Sequence, residues 1–388
     1  MTIRTWCLTD VATGLHVDRF AQSSAPGGRR PGWAVSKRTM RGGLSDGVDV
    51  IRVDTGDLSY EVVPTRGMGI WKAWAGGEEI GWRSPVRGPV HPCHVPLSDP
   101  SGLGWLDGFD ELLVRCGLES NGAPDFAADG RLRHPLHGRI ANRPAHKVDV
   151  AIDDATGEVT VSGIVEEARF HFGKLRLTSA VSTRAGERRL RIRDTVENFS
   201  GSPAGFQILY HVNFGAPLLG EGARVVAPVA QLVPRDAVAA ADVATWDVYG
   251  APTAGFAEQC HFLALRPGAG GRSQAMLRDA SGARGVSLHV DTRQLPCFTI
   301  WKNTTAAADG YVTGLEPATN FPNRRSHEAG QGRVVELAAG GVARFDLDLE
   351  IHVGSAEVAA AEAAIAALQA GVEPRIFREP QPGWSDIG

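Results

Sequence analysis

Long apolar runs are missing from this sequence. No window approaches 18 consecutive apolar residues, so no transmembrane helix is expected. Cysteine is sparse and shows no pairing pattern. The five residues Cys7, Cys93, Cys116, Cys260 and Cys297 are scattered, odd in number and never spaced CxxC. That argues against a disulfide framework or a zinc knuckle and points to a reducing compartment, the cytoplasm. The first ten residues hold no charged stretch followed by a long apolar run, so no secretory signal is expected. An excess of charge of one sign is lacking too: 40 Lys and Arg face 44 Asp and Glu, a formal net charge of −4. Basic runs such as Lys37-Arg38 and Arg324-Arg325 are short, so a nucleic-acid face is not expected. There is no GxxxxGK[ST] loop, no strand-GxGxxG-helix, no GxSxG and no HExxH, which disfavours nucleotide cofactors, a serine nucleophile and a zincin centre. His134 and His137 are three apart and would point to opposite faces of a strand, so no metal site is expected.

What is present is a β rhythm. The 47 glycines and 23 prolines are spread evenly and punctuate short runs every 8–12 residues. Apolar and polar residues alternate in 159–162, 174–183 and 190–196, each reading as a strand with one buried face. Residues 206–214 read as the next strand, giving a four-stranded antiparallel meander. Further strands are expected at 48–53, 58–64, 275–277, 285–290, 297–301 and 342–351. One segment reads as helix, 355–370, rich in Ala and Glu with Gly371 beyond it. Residues 21–35 read as a mobile loop, both termini as irregular, and the whole of 1–388 as a single β domain.

Certain polar residues do not fit this packing. Leu136-His137-Gly138-Arg139 follows Arg131, Arg133 and His134. In Leu209-Tyr210-His211-Val212-Asn213-Phe214, the apolar Tyr210, Val212 and Phe214 share one face, leaving His211 and Asn213 together on the other. Trp301-Lys302-Asn303 precedes Gly314-Leu315-Glu316-Pro317. A lone strand histidine is more often structural than catalytic, and Glu before Pro is usually a loop carboxylate. Two polar neighbours on one face of an apolar strand suggest instead a lined groove.

These segments resemble the aldose 1-epimerase (galactose mutarotase-like) family. Leu136-His137-Gly138 resembles its Leu-His-Gly segment, Tyr210-His211-Val212-Asn213-Phe214 its strand carrying a catalytic His, and Gly314-Leu315-Glu316-Pro317 its late Leu-Glu-Pro with the catalytic Glu. Order and spacing also match, from about residue 45 to 352. The stretches 105–124 and 64–70 are similar to one branch of that family. The resemblance implies an all-β supersandwich of two large antiparallel sheets with a short C-terminal helix. It also implies exchange of sugar anomers without cofactor or metal, on a small-molecule sugar. Arg139 departs from the family pattern, which has a second glycine there, and would suit an anionic sugar or else turn outward. The family's sugar-binding Asp has no clean match, Glu258 being the nearest candidate.

On this reading Glu316 is the ionised base that takes the O1 proton and His211 the protonated acid that serves the ring oxygen. His137 would stabilise charge at the ring oxygen or orient the sugar. Asn213, Arg66, Arg139 and Lys302 are the expected hydroxyl or anion clamps, with Trp301 and Trp105 stacking on the sugar. Competing functions are chemistry at another sugar carbon, a glycoside hydrolase or lyase on the same architecture, and a non-catalytic sugar-binding protein. A homo-oligomer is left open.

Overall fold

The computed structural model describes residues 3–24 and 32–386. Among these residues, two large sheets, one of 10 strands and one of 14, are stacked face to face, and their strand pairs are antiparallel except for one short parallel pair. This is the expected all-β supersandwich.

The 10-stranded sheet runs through Lys147–Asp153, Glu158–Ala168, Lys174–Arg184 and Arg189–Asn198, and then to Val342–Val353. Its sequence logic is plain alternation. Along Glu158–Ala168, Val159, Val161, Gly163 and Val165 are buried while Thr160, Ser162 and Ile164 between them are half-buried. Each such buried aliphatic side chain stabilises the fold by roughly 1.5–3 kcal/mol. The central strands of the 14-stranded sheet differ: Leu113–Leu118 and Val312–Ala318 are buried at every position. Both faces of this sheet are therefore covered. One face meets the other sheet in a core that includes Tyr210, Val212, Phe214, Ile192 and Val161. The opposite face carries a second apolar cluster, with Trp82, Trp105, Phe109, Val114, Cys116 and Leu209.

Two expectations are corrected. The four-stranded meander stops at three, because Ala204–Phe214 leaves that sheet and pairs with Leu113–Leu118 and Val312–Ala318 in the other. Its burial on both faces is the physical reason. The N-terminus is not irregular: Ile3–Asp10 pairs with Lys147–Asp153 as a strand of the 10-stranded sheet. Of the loop expected over 21–35, residues 25–31 lie outside the described residues, while its flanks belong to strands Arg19–Ser23 and Ala34–Thr39.

The expected C-terminal helix is Ser355–Gln369, which packs Val358, Ala361 and Ile365 on Met276. Gly371, with φ 74°, follows it. Two short helices that the sequence reading lacked are Ala237–Ala241 and Arg325–Gly330. Among the described residues, no helix is long and apolar enough to cross a membrane.

Candidate active site

The second face of the 14-stranded sheet holds a cavity of about 580 Å³, within the range of roughly 300–1,000 Å³ usual for small-ligand sites. Strand register builds its floor. Leu209 lies opposite Ala318 and Val212 opposite Leu315, so His211 and Glu316 are cross-strand partners. Cross-strand Cβ atoms are only about 4.5–5.5 Å apart, which brings the side chains into contact. His211 Nε2 lies 3.2 Å from Glu316 Oε1, both groups being buried. Gly314, beneath them, leaves the space they occupy.

Asn213 sits behind the His211 ring. Its Nδ2 donates to the carbonyl oxygens of Glu111, at 3.0 Å, and His211, at 3.3 Å. That fixes the amide orientation and leaves Oδ1 facing His211 Nδ1 at 2.6 Å. Nδ1 must then carry a proton, and Nε2 is the atom that exchanges one with Glu316.

His137 enters from a turn. Its φ is 55° and that of Gly138 is 71°, a consecutive left-handed pair. A Cβ at Gly138 would strike the carbonyl oxygens of Ser120 and Gly117, which explains the glycine of the Leu-His-Gly segment. His137 Nδ1 donates to Asn121 O at 2.9 Å. The rings of His137 and His211 stand perpendicular, 89°, with centroids 5.3 Å apart.

The walls are aromatic. Trp105 packs on His137 at 4.6 Å and on Phe109 at 4.8 Å, and Trp301 lies 5.4 Å from the His211 ring. Trp301 Nε1 donates to Glu258 Oε2 at 2.8 Å, while Arg235 Nη1 donates to Glu258 Oε1 at 3.1 Å.

Protonation departs from the sequence expectation of an ionised Glu316 and a protonated His211. Burial, reinforced by the Glu258 charge, pushes Glu316 up to about 8. Burial and then His137 hold His211 well below its ordinary value, opposed by the Asn213 hydrogen bond. Burial takes His137 down to about 4. A low-dielectric wall disfavours the charged form of each group. Burial in the cavity therefore favours a carboxylic acid beside two neutral imidazoles. Neutral His137, with Nδ1–H committed to a carbonyl, offers an acceptor at Nε2, not the donor expected for charge at a ring oxygen.

Of the residues singled out from sequence, the structure brings Glu316, His211, His137, Glu258, Trp301 and Trp105 to this cavity. Four others lie elsewhere. Asn213 is sealed behind His211. Arg66 is fully buried, donating to Glu111 Oε1 at 2.6 Å, Asn142 Oδ1 at 2.7 Å and the carbonyls of Val90 and Gly108. It is a staple between loops, not a clamp. Lys302 points to the face opposite its neighbour Trp301, giving hydrogen bonds to Thr245 O and Val248 O. Arg139 lies in a separate groove, because the left-handed turn at His137-Gly138 swings the chain away. Sequence reasoning missed Phe109 and Arg235. The only signals are the Gly-Phe-Asp break at 108–110 and a cation directly after Pro234.

Sheet order, covered second face and cross-strand His–Glu pair together define a galactose mutarotase-like sandwich. Residues 45–351 match the family described as "Domain of unknown function (DUF4432)". A candidate aldose 1-epimerase from Klebsiella pneumoniae subsp. pneumoniae is 34% identical, with 98% of this chain and 99% of that chain covered and a TM-score of 0.94. The chain belongs to that domain family and to the aldose 1-epimerase (galactose mutarotase-like) proteins. More distant structures share the fold. A galactose 1-epimerase from Lactobacillus acidophilus is 13% identical, covering 82% of this chain and 99% of its own, with a TM-score of 0.55. A galactose mutarotase-like protein from Clostridium acetobutylicum is 15% identical, covering 87% and 99%, with a TM-score of 0.55. No curated protein matches the chain.

Proposed function

We propose that the cavity binds a pyranose and that Glu316 and His211 open and reclose its ring, exchanging anomers as an aldose 1-epimerase does. The observation that carries this reading is the contact of one carboxyl with one imidazole, 3.2 Å apart, on an aromatic-walled cavity. Ring opening removes the proton of the anomeric hydroxyl and delivers one to the ring oxygen. With the pair as carboxylate and imidazolium, Glu316 takes the first and His211 Nε2–H supplies the second. The pair ends as carboxylic acid and neutral imidazole.

That end state is the one burial in the cavity favours. The open-chain aldehyde therefore meets a site ready to reclose it. Glu316 protonates the carbonyl oxygen while His211 accepts the proton of the hydroxyl that attacks C1. Rotation about C1–C2 before closure yields the other anomer. The two protonation states differ by one proton moved between Oε1 and Nε2, and a bound cyclic sugar must draw it onto His211. Each positioned transfer contributes roughly 10²–10⁴-fold. Trp301, backed by Phe109, offers flat apolar surface to the C–H face of a sugar, whereas Trp105 is fully buried behind His137 and Phe109. His137 Nε2 accepts from a hydroxyl.

Glycoside hydrolysis fits less well, since it needs two working carboxylates about 5–9.5 Å apart. Both oxygens of Glu258, the second glutamate here, are already held by Arg235 and Trp301. An anionic sugar also loses its support, because Arg139 lines another groove. Arg235, the one Lys or Arg among the described lining residues, is paired with Asp236 and Glu258. The reading favours a neutral sugar. Its test is NMR anomer exchange across a panel of neutral and anionic pyranoses, with Glu316→Gln beside the wild type. Faster exchange that Glu316→Gln abolishes is expected; if no pyranose exchanges faster than in buffer, ring opening is refuted.

A further inference from the structure

Around Arg139 lies a groove of about 650 Å³, separated from the candidate active site by the segment 123–139. Six arginines line it: Arg131, Arg133, Arg139, Arg143, Arg169 and Arg325. Most arginines on this molecule are paired with a carboxylate, as Arg176 is with Glu166 and Glu197. These are not. Among the described residues no hydrogen bond or ion pair joins the guanidinium of Arg131, Arg133, Arg139, Arg143 or Arg169 to a partner, that of Arg169 lying only over the Phe172 ring at 4.3 Å. Arg325 donates from Nη2 to Gly205 O at 3.3 Å, but its Nη1 is buried with no partner.

The groove also contains Glu119, Glu167 and His134. Glu167 is buried and spends both oxygens on the backbone N–H groups of Leu118 and Glu119. The six guanidinium groups thus outnumber the two carboxylates. Arg139 and Arg325 are half-buried and the other four are exposed, so water screens part of their repulsion, yet like charges along one concave wall still raise the local positive potential and attract an anion. Guanidinium is also the side chain whose fork of donors matches phosphate, sulfate and carboxylate oxygens.

We propose that this groove is a second binding site, for a small multiply charged oxyanion such as a phosphate or sulfate ester. The proposal is independent of what the cavity at Glu316 does. A concave volume of this size fits a small molecule and not an extended partner. Phe172, at the rim and 57% exposed, is placed to cover an apolar part of such a ligand.

The test uses the whole protein and titration calorimetry with pyrophosphate, sulfate and citrate at low and high salt. Pyrophosphate should bind, more weakly as ionic strength rises, and at least tenfold more weakly in Arg131→Glu/Arg133→Glu. Arg41→Glu/Arg375→Glu, with the same change of net charge away from the groove, should bind as wild type does. The neutral pair Arg131→Gln/Arg133→Gln provides the loss where charge reversal impairs folding, judged by thermal melts. Citrate binding as tightly as pyrophosphate would still support the site and make the ligand a polycarboxylate. No binding, or equal loss in the control pair, overturns the proposal. So does sedimentation with anionic phosphatidylserine vesicles that pyrophosphate fails to reverse, which would make this face a membrane contact.

Discussion

Gly314 lies so close to Glu316 that a Cβ there would come within 2.7 Å of Glu316 Oε1, and within 2.8 Å of His211 Cε1. The strand leaves no other room for the carboxyl–imidazole contact, so the glycine of Gly-Leu-Glu-Pro is a steric requirement of the pair. Gly314→Ala should fold, because nothing about the extended strand excludes alanine, yet it must displace one partner. A misplacement near 1 Å can cost about 10²-fold in rate. The expected outcome is a fall in kcat/KM for anomer exchange of about tenfold to a hundredfold with a cooperative melt retained. Unchanged kinetics would mean the contact is not used.

The pH profile follows from the pair holding one proton. Glu316 is pushed up to about 8 and His211 well below 6.5. As pH rises through about 8, the pair loses its proton and nothing remains to protonate the ring oxygen. As pH falls well below 6.5, a second proton arrives and no base remains. kcat/KM should therefore be bell-shaped, with a plateau near neutrality and an alkaline limb close to pH 8. Stopped-flow polarimetry from pH 4 to 10 measures it, and activity that still climbs at pH 9.5 contradicts the assignment.

Asn213 touches the cavity only through His211. Its hydrogen bond raises the His211 pKa against burial and fixes the Nδ1–H tautomer. Asn213→Ala should lower kcat with KM little changed and move the acid limb to lower pH, since the imidazolium loses its acceptor. The Glu111 carbonyl keeps the Trp82 Nε1 donor, but the buried His211 Nδ1–H loses its acceptor, at a cost of about 1–3 kcal/mol. A merely structural role would reduce stability and leave the acid limb where it was.

Much of this site was legible in sequence through parity. Tyr210, Val212 and Phe214 face the inter-sheet core while His211 turns to the cavity, as period-two spacing requires. The same rule separates Trp301 from Lys302, so assigning both to one sugar contradicted the strand geometry. Arg139 and Arg66 were harder. A left-handed turn decides which side Arg139 emerges on, and the partners of Arg66 come from positions 90, 108, 111 and 142. Such long-range acceptors leave no local signal. The crossing of Ala204–Phe214 between sheets was equally hidden, because the turn at 199–203 looks the same whichever sheet follows.

The two sheets are joined by a buried polar fork as well as by apolar packing. Arg115, from the 14-stranded sheet, donates Nε to Asp194 Oδ2 at 2.5 Å and Nη2 to Asp194 Oδ1 at 3.1 Å across the interface. Nη2 also reaches Ser179 Oγ at 2.8 Å, Nη1 reaches Met68 O at 2.6 Å, and Tyr210 Oη donates to Asp194 Oδ2 at 3.0 Å. Every group is satisfied, so removing one partner strands the other charge without water. Asp194→Ala should destabilise by about 3–5 kcal/mol, and Arg115→Met by a similar amount. The double variant should lose less than the sum, because neither charge is then left alone. Urea unfolding of the three variants checks this. Additive losses would show that the fork does not couple the sheets, and that the two residues contribute only through their separate packing.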